Sequence, residues 1–167
     1  MHNSNRLVLD KPQTADFGRF YEIHSDPKTN LFNPGGPMNM EKAKEVFNEW
    51  LTHWNEYNFG AWAIKLKGTE TIAGFGGLSY RMYGDELKLN LGYRFDAAFW
   101  GQGYATELAK YTIVYGFSEL QKDKIFAIVR PKHAVSIKVL EKCGMQLSGK
   151  LNDVPGEEES LVYIIEK

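Results

Sequence analysis

Leu91-Gly92-Tyr93-Arg94-Phe95, a short loop, and then Trp100-Gly101-Gln102-Gly103-Tyr104-Ala105-Thr106 is the stretch that decides how this chain reads. The residues up to Phe95 alternate as a strand does, and those after Gly103 take helical spacing. The first turn of a helix carries backbone N–H groups without internal partners, and the macrodipole adds partial positive charge. Together they favour a phosphate or another anion. Gly101 and Gly103 remove side chains that would hold a ligand away from those amides, and they permit backbone angles closed to other residues. Ala105 is small enough for close approach, and Thr106 adds a hydroxyl donor. The same pattern also describes a tight strand-to-helix turn with no ligand. It is neither G-x-G-x-x-G nor a phosphate loop ending in Gly-Lys-Ser/Thr, and the preceding strand reads as antiparallel to its predecessor. A parallel βαβ dinucleotide unit is therefore not expected.

Working outward, Leu87 to Phe95 places Leu87, Leu89, Leu91, Tyr93 and Phe95 on one face and Lys88, Asn90, Gly92 and Arg94 on the other. Before it, Phe59 to Lys67 and Thr71 to Tyr80 read as a hairpin, and Tyr83-Gly84-Asp85 as a further turn. Leu7-Val8-Leu9 is a short strand, Thr14 caps a helix running to about His24, and a long amphipathic helix spans about Met40 to Tyr57. After the glycine turn, the pattern predicts a helix over Tyr104–Ser118, a strand over Lys124–Val129 and a helix over Ala134–Lys142 ended by Gly144. Gln146 to Leu151 and Ser160 to Ile165 close the chain as strands. The sum is a mixed α/β chain, largely antiparallel in its first half, and 167 residues fit one domain over 1–167.

Net charge is −1, without a basic arm or run, so no nucleic-acid partner is expected. No apolar run approaches the roughly 20 residues that span a bilayer, and no secretory signal is read at Met1 to Arg6, so the expected setting is cytoplasmic and off the membrane. A lone cysteine, Cys143, forms no internal disulfide and reads as a structural thiol.

Phe99-Trp100-Gly101-Gln102-Gly103-Tyr104-Ala105-Thr106-Glu107 resembles the acyl-CoA-binding motif of the GNAT N-acetyltransferases. It is similar in particular to the branch containing the bacterial ribosomal-protein N-terminal acetyltransferases. The second block of that family is matched by Pro131-Lys132-His133-Ala134-Val135-Ser136-Ile137-Lys138-Val139-Leu140-Glu141-Lys142-Cys143-Gly144-Met145. Arg6-Leu7-Val8-Leu9, Ser25-Asp26-Pro27 and Phe59-Gly60-Ala61-Trp62-Ala63-Ile64 match its opening and middle, so the resemblance runs from about residue 6 to 166. It implies an α/β (α+β) fold with a central, splayed, mixed, mostly antiparallel sheet flanked by about four helices. It also implies that the pantetheine arm of acetyl-CoA lies between the strand ending at Phe95 and the strand starting near Lys124. Main-chain groups of Tyr93, Arg94 and Phe95 would pair with that arm, and Trp100 to Thr106 would take the pyrophosphate. The implied reaction is direct attack of a primary amine, on a protein N-terminus or a small molecule, without a metal. Homodimers are common in the family.

Two positions depart from the family pattern. His133 stands where the family usually has the Asn that contacts pantetheine, and is expected either to contact acyl-CoA or to begin the following helix. Asn90 stands where Glu often acts as base through water; Asn takes up no proton at neutral pH but orients a water or an amine. Asp85 and Glu86 are alternative bases or simply a solvated turn, and His24 and His53 lie on helices of the implied acceptor side. Ser136 matches the residue that in related enzymes protonates the leaving thiolate, and equally suits a helix cap. Trp50, Trp54, Phe59, Trp62 and Phe75 read either as an acceptor pocket whose rings hold a cationic amine or, by their helical and strand spacing, as mostly core. The acyltransferase reading stands beside two others, a non-catalytic acyl-CoA sensor and an enzyme using a longer acyl donor.

Overall fold

In the computed structural model, which describes residues 1–167, two antiparallel groups of strands share one sheet. The first group is β1 (His2–Asn3), β2 (Leu7–Asp10), β3 (Ala61–Leu66), β4 (Ile72–Tyr83) and β5 (Glu86–Phe95). The second is β6 (Lys124–Val129), β8 (Ser160–Glu166) and β7 (Gln146–Leu151), with β8 inserted between its two predecessors. They join through β5 and β6, a parallel pair whose ladder holds a single register, Asn90 opposite Phe126. Between Asn90 and Phe95 that side of β5 has no strand partner. A parallel pair needs a crossover, supplied by α3 (Tyr104–Ser118).

The strand alternation sorts the helices onto two faces. Leu89, Leu91 and Phe95 of β5 pack with Leu108 and Ala109 of α3 and Leu140 of α4 (Ala134–Lys142). On the other face, Phe75 and Ala63 meet Phe20 and Ile23 of α1 (Phe17–Ser25) and Ala43 and Phe47 of α2 (Met40–Tyr57). Trp62 and Phe75 are fully buried, and burial stabilises Phe75 by roughly 1.5–3 kcal/mol relative to water. Arg94 is the cross-strand partner of Phe75, and such partners share a face, so its side chain points toward α1 and α2. Gly116 lets α3 lie close on the sheet, because a Cβ there would sit 2.7 Å from Ile125 and 2.9 Å from Leu78.

The helix boundaries follow local chemistry. Asn39 caps α2 by accepting from the Lys42 N–H at 2.8 Å, and Asn58 ends it in the left-handed region at φ 58°. The first helix departs from the sequence expectation. Thr14–Asp16 is a separate 3-10 turn in which Gln13 and Asp16 cap each other, and the α-helix starts only at Phe17. At the far end, Gly144 stops α4 with φ 85°, as its position predicts.

Candidate active site

The glycine turn joins the open end of β5 to α3. Gly101 and Gly103 have φ of 74° and 79°, left-handed angles that a side chain would strain, and both are exposed. Gly103 is the residue before the helix, no side chain caps the turn, and a Cβ on Gly101 would meet open space. No side chain accepts from the amides of the first turn, and a Cβ on Gly103 would meet only the Arg6 guanidinium at 3.5 Å.

Behind the turn the chain is braced. Glu107 accepts from the Arg6 main-chain N–H at 2.6 Å, from Arg6 Nε at 2.7 Å and from the Ser4 hydroxyl at 2.6 Å. Arg6 donates further to the Gln102 carbonyl at 2.9 Å and lies over the Tyr104 ring. Burial opposes ionisation of Glu107, but the donors from Ser4 and Arg6 outweigh it and hold the carboxyl below its usual range. Trp100, half exposed, donates its indole N–H to the Phe95 carbonyl at 2.9 Å and so fixes the turn against the end of β5. Asp96 accepts from the Ala98 N–H at 2.9 Å and pairs with Arg19 of α1, which pins the intervening loop.

Asn90 lies at the fork, buried, and its side-chain oxygen accepts from the Tyr83 hydroxyl at 2.7 Å. Its amide nitrogen lies beside Gly92, where a Cβ would come within 3.3 Å. The group turned along the strand is therefore a donor and not a base. Burial raises the Tyr83 phenol well above its ordinary value, so it stays protonated as the donor to Asn90. Glu86 is exposed and paired with Lys88 at 3.1 Å, four residues or about 13 Å before Asn90 along the strand. Asp85 is equally exposed, so both belong to a solvated turn.

On the α3–α4 face, Ser136 Oγ stands 2.9 Å from the Tyr93 hydroxyl, joining the first turn of α4 to β5. Burial pushes the Tyr93 phenol up to about 12, against the lowering effect of Ser136. Cys143 is half-buried beside this pair, its thiol pushed up by burial, with Sγ 3.8 Å from the Thr106 carbonyl. No base activates it as a nucleophile, in keeping with the structural role read from the sequence.

The α1–α2 face carries a different group. Arg94 donates to the side-chain oxygen of Asn30, which is buried and oriented by donating to the carbonyls of His24 at 2.9 Å and Asp26 at 2.8 Å. His24 is buried, stacked on Phe20 at 3.9 Å, with Nδ1 2.9 Å from the Phe20 carbonyl. Burial, helped by the Arg94 charge, pushes its pKa down to about 3. The His133 ring stacks on Phe32 at 4.3 Å, and burial with the same Arg94 charge lowers its pKa. His53 is a clip: Nδ1 lies 2.9 Å from the Phe59 carbonyl and Nε2 accepts from the Tyr80 N–H at 3.0 Å.

The fold thus brings Asn90, Tyr93, Arg94, Phe95, Trp100 to Thr106, His133 and Ser136 to one end of the β5–β6 fork. Sequence reasoning missed the Arg6–Glu107 brace, the Tyr83–Asn90 bond and the Asn30–Arg94 contact. Arg6, Asn90, Arg94 and Glu107 all stood inside motifs read from the sequence, but their partners Ser4, Tyr83 and Asn30 did not.

A family model described as "Acetyltransferase (GNAT) domain" matches residues 6–146. Among curated proteins, the chain is 31% identical over 148 residues to the uncharacterized protein YkkB of Bacillus subtilis (strain 168), covering 86% of this chain and 81% of that one. The crystal structure of an acetyltransferase from Agrobacterium tumefaciens str. C58 superposes with a TM-score of 0.85 at 26% identity, covering 99% of this chain and 94% of that one. The spermidine N-acetyltransferase of Vibrio cholerae, solved with CoA and spermine, shares the fold at TM-score 0.78 and 15% identity, with 96% and 95% of the two chains covered. The chain belongs to the GNAT acetyltransferase family and is an acyl-CoA-dependent N-acyltransferase.

Proposed function

We propose that this enzyme transfers an acetyl group from acetyl-CoA to a primary amine, of a small molecule or a protein N-terminus, by direct attack. The amine nitrogen bonds to the thioester carbonyl carbon and the C–S bond breaks. The nitrogen gives up one proton to solvent, and the departing thiolate takes one to become CoA thiol. The observation that carries this reading is the fork itself: β5 loses its strand partner beyond Asn90 and leads directly to uncapped amides at Gly103. Of the stretch Tyr93 to Phe95, the main-chain groups of Tyr93 and the Phe95 N–H face the open side and pair with the pantetheine amides. Trp100 holds the Phe95 carbonyl, and the turn from Trp100 to Thr106 takes the pyrophosphate.

The side chains at the fork divide the remaining work. Asn90, held by Tyr83, donates from its amide and orients a water or the incoming amine. Ser136, in contact with Tyr93, donates to the sulfur, and the Tyr93 hydroxyl, protonated at neutral pH, restores its proton. His133 borders the same opening against Phe32. Direct attack agrees with the lack of an activated nucleophile at Cys143 or Ser136. A thiol-release assay with acetyl-CoA across a panel of primary amines tests the reading. Release that depends on both the amine and the enzyme is expected. A protein that binds acetyl-CoA yet releases nothing with any amine would instead be a sensor.

A further inference from the structure

Arg94 is a largely buried cation of the fork that the protein leaves without a counter-charge. It lies on β5, on the face turned to α1 and α2, and is mostly withdrawn from solvent. None of the molecule's ion pairs includes it. Its one hydrogen-bond partner is the neutral oxygen of Asn30, so most of its five N–H donors remain unengaged. Its flanking side chains offer no charge either, since His24 and His133 are both held toward their neutral forms. A buried cation without a counter-ion costs several kcal/mol, and one neutral hydrogen bond offsets little of that. Asn30 is nonetheless built to hold it: two carbonyls fix the amide so that its oxygen faces the guanidinium, and the Asn33 amide donates to that same oxygen at 3.0 Å.

We infer that Arg94 is the receptor for an anionic group, a carboxylate or phosphate, carried by the acceptor amine. A planar guanidinium with free N–H groups matches the two oxygens of either anion. The donor's own phosphates do not compete, because the glycine turn opens onto α3, which packs on the opposite face of the sheet. Asn90 and Arg94 share a face four residues apart, about 13 Å along the strand, and the arginine side chain covers part of that span. The acceptor is therefore a small zwitterion such as an amino acid, a short peptide or a phosphorylated amine. The ring pair Phe32–His133, with Phe32 40% exposed, forms an apolar wall for its carbon skeleton.

This inference rests on the acyltransferase reading for the amine and on Arg94 alone for the anion, and the test separates the two. Free amino acids and dipeptides are compared as acceptors with their C-terminal amides, and phosphoethanolamine with ethanolamine, using wild type, Arg94→Gln and Arg94→Lys. The readout is the kcat/KM ratio within each pair, set against the same ratio in Arg94→Gln, which cancels differences in amine basicity. A charge-assisted contact predicts a ratio at least about tenfold higher in the wild type, with part of it kept by Arg94→Lys. The carboxylate and phosphate pairs report which anion is preferred. A ratio that Arg94→Gln leaves unchanged makes Arg94 a strut for Asn30 and overturns the inference. If no amine is turned over, the transferase reading fails, and the anion site is then read by calorimetric titration with N-acetylglycine and N-acetylethanolamine phosphate. Binding of either to wild type and not to Arg94→Gln upholds it; equal binding, or none, overturns it.

Discussion

The two sides of the β5–β6 fork are built from different materials. The side we assign to the donor presents main-chain amides at two left-handed glycines, braced from behind by Arg6 and Glu107. The side we assign to the acceptor carries side chains instead: Arg94, held by Asn30 and flanked by His24 and His133, drawn from four separate segments and largely buried. A backbone cradle suits a ligand common to a whole family, because it depends on chain geometry and tolerates change in most side chains. A side-chain pocket is free to vary, which is how one fold serves many acceptors.

Gly103→Val strikes the donor side hardest. A β-branched residue at φ 79° is strained, and its side chain would crowd the Arg6 guanidinium, which lies 3.5 Å from a Cβ at that position, at the mouth of the turn. Loss of about two charge-assisted hydrogen bonds predicts at least a roughly 100-fold fall in kcat/KM for acetyl-CoA. Calorimetry should show the same loss in CoA affinity, with the thermal midpoint lowered by several degrees through the backbone strain of about 1–3 kcal/mol. Gly103→Asn, which tolerates the left-handed region better, separates the two effects. A variant with unchanged CoA affinity would break the contrast, since the turn would then be only a connector.

The α1–α2 side should begin to lose stability at a higher pH than the glycine turn. There Glu107, a carboxyl held below its usual range, titrates only under more acidic conditions. The folded-state pKa of His24 lies near 3, below its ordinary value of 6.5, so the unfolded chain binds the proton more readily. Its contribution to stability is therefore complete above about pH 6.5 and is lost as pH falls toward 3, at up to about 1.4 kcal/mol per pH unit. Roughly 2 kcal/mol should disappear between pH 6.5 and 4.5. His2, His53 and His133 are lowered in the same direction and add smaller slopes. Urea unfolding at a series of pH values measures this, and His24→Gln should flatten the curve even as it lowers stability overall. A slope as steep in that variant would move the acid sensitivity elsewhere.

Between the two sides, Ser136 and Tyr93 share one hydrogen bond, so they should act as a unit. Ser136→Ala and Tyr93→Phe are each expected to lower kcat about tenfold, less than a typical general acid because a thiolate is a good leaving group. The double variant should be no slower than the worse single one. Losses that multiply would mean two independent roles. Full kcat in Ser136→Ala would leave the serine as a helix-start residue only.

What could be read from the sequence divides along the same line as the chemistry. The helices Met40–Tyr57, Tyr104–Ser118 and Ala134–Lys142 and the strand Lys124–Val129 emerge at the bounds their periodicity predicts, with local boundary residues at Asn39 and Asn58, at Gly103 and at Gly144. The glycine turn was legible for the same reason: left-handed angles leave a local mark in residue type. The insertion of β8 between β6 and β7, and the two-residue β1, left none, because pairing partners are chosen by the whole sheet. The Asn30–Arg94 contact spans 64 positions and Arg6–Glu107 spans 101, and no spacing rule reaches that far. His133 shows the limit most directly. Its departure from the family pattern was visible, but its stacking on Phe32 needed the α1–α2 connection to fold over it.

The smallest expected effect tests whether the donor side is as independent of side chains as its backbone amides suggest. Arg6 is 44% exposed at its side chain, so its pairing with Glu107 is screened and worth under about 1 kcal/mol. Glu107→Gln keeps the shape and one acceptor oxygen while removing the charge, so α3 should stay in place. The acidic residue also lies in the first turn of the helix, where its charge opposes that of a bound pyrophosphate. Removing it relieves that repulsion but frees Arg6 from its brace, and the two effects oppose each other in the acetyl-CoA KM. Because the bonds from Ser4, the Arg6 main chain and Arg6 Nε all converge on this one carboxylate, loss of the brace should prevail. A two- to fivefold rise in KM for acetyl-CoA is expected, about 0.4–1 kcal/mol, with kcat unchanged and the difference shrinking at high salt. A fall in KM would show that electrostatics at the helix start outweighs the brace, and a change in kcat would tie this outer contact to the fork itself.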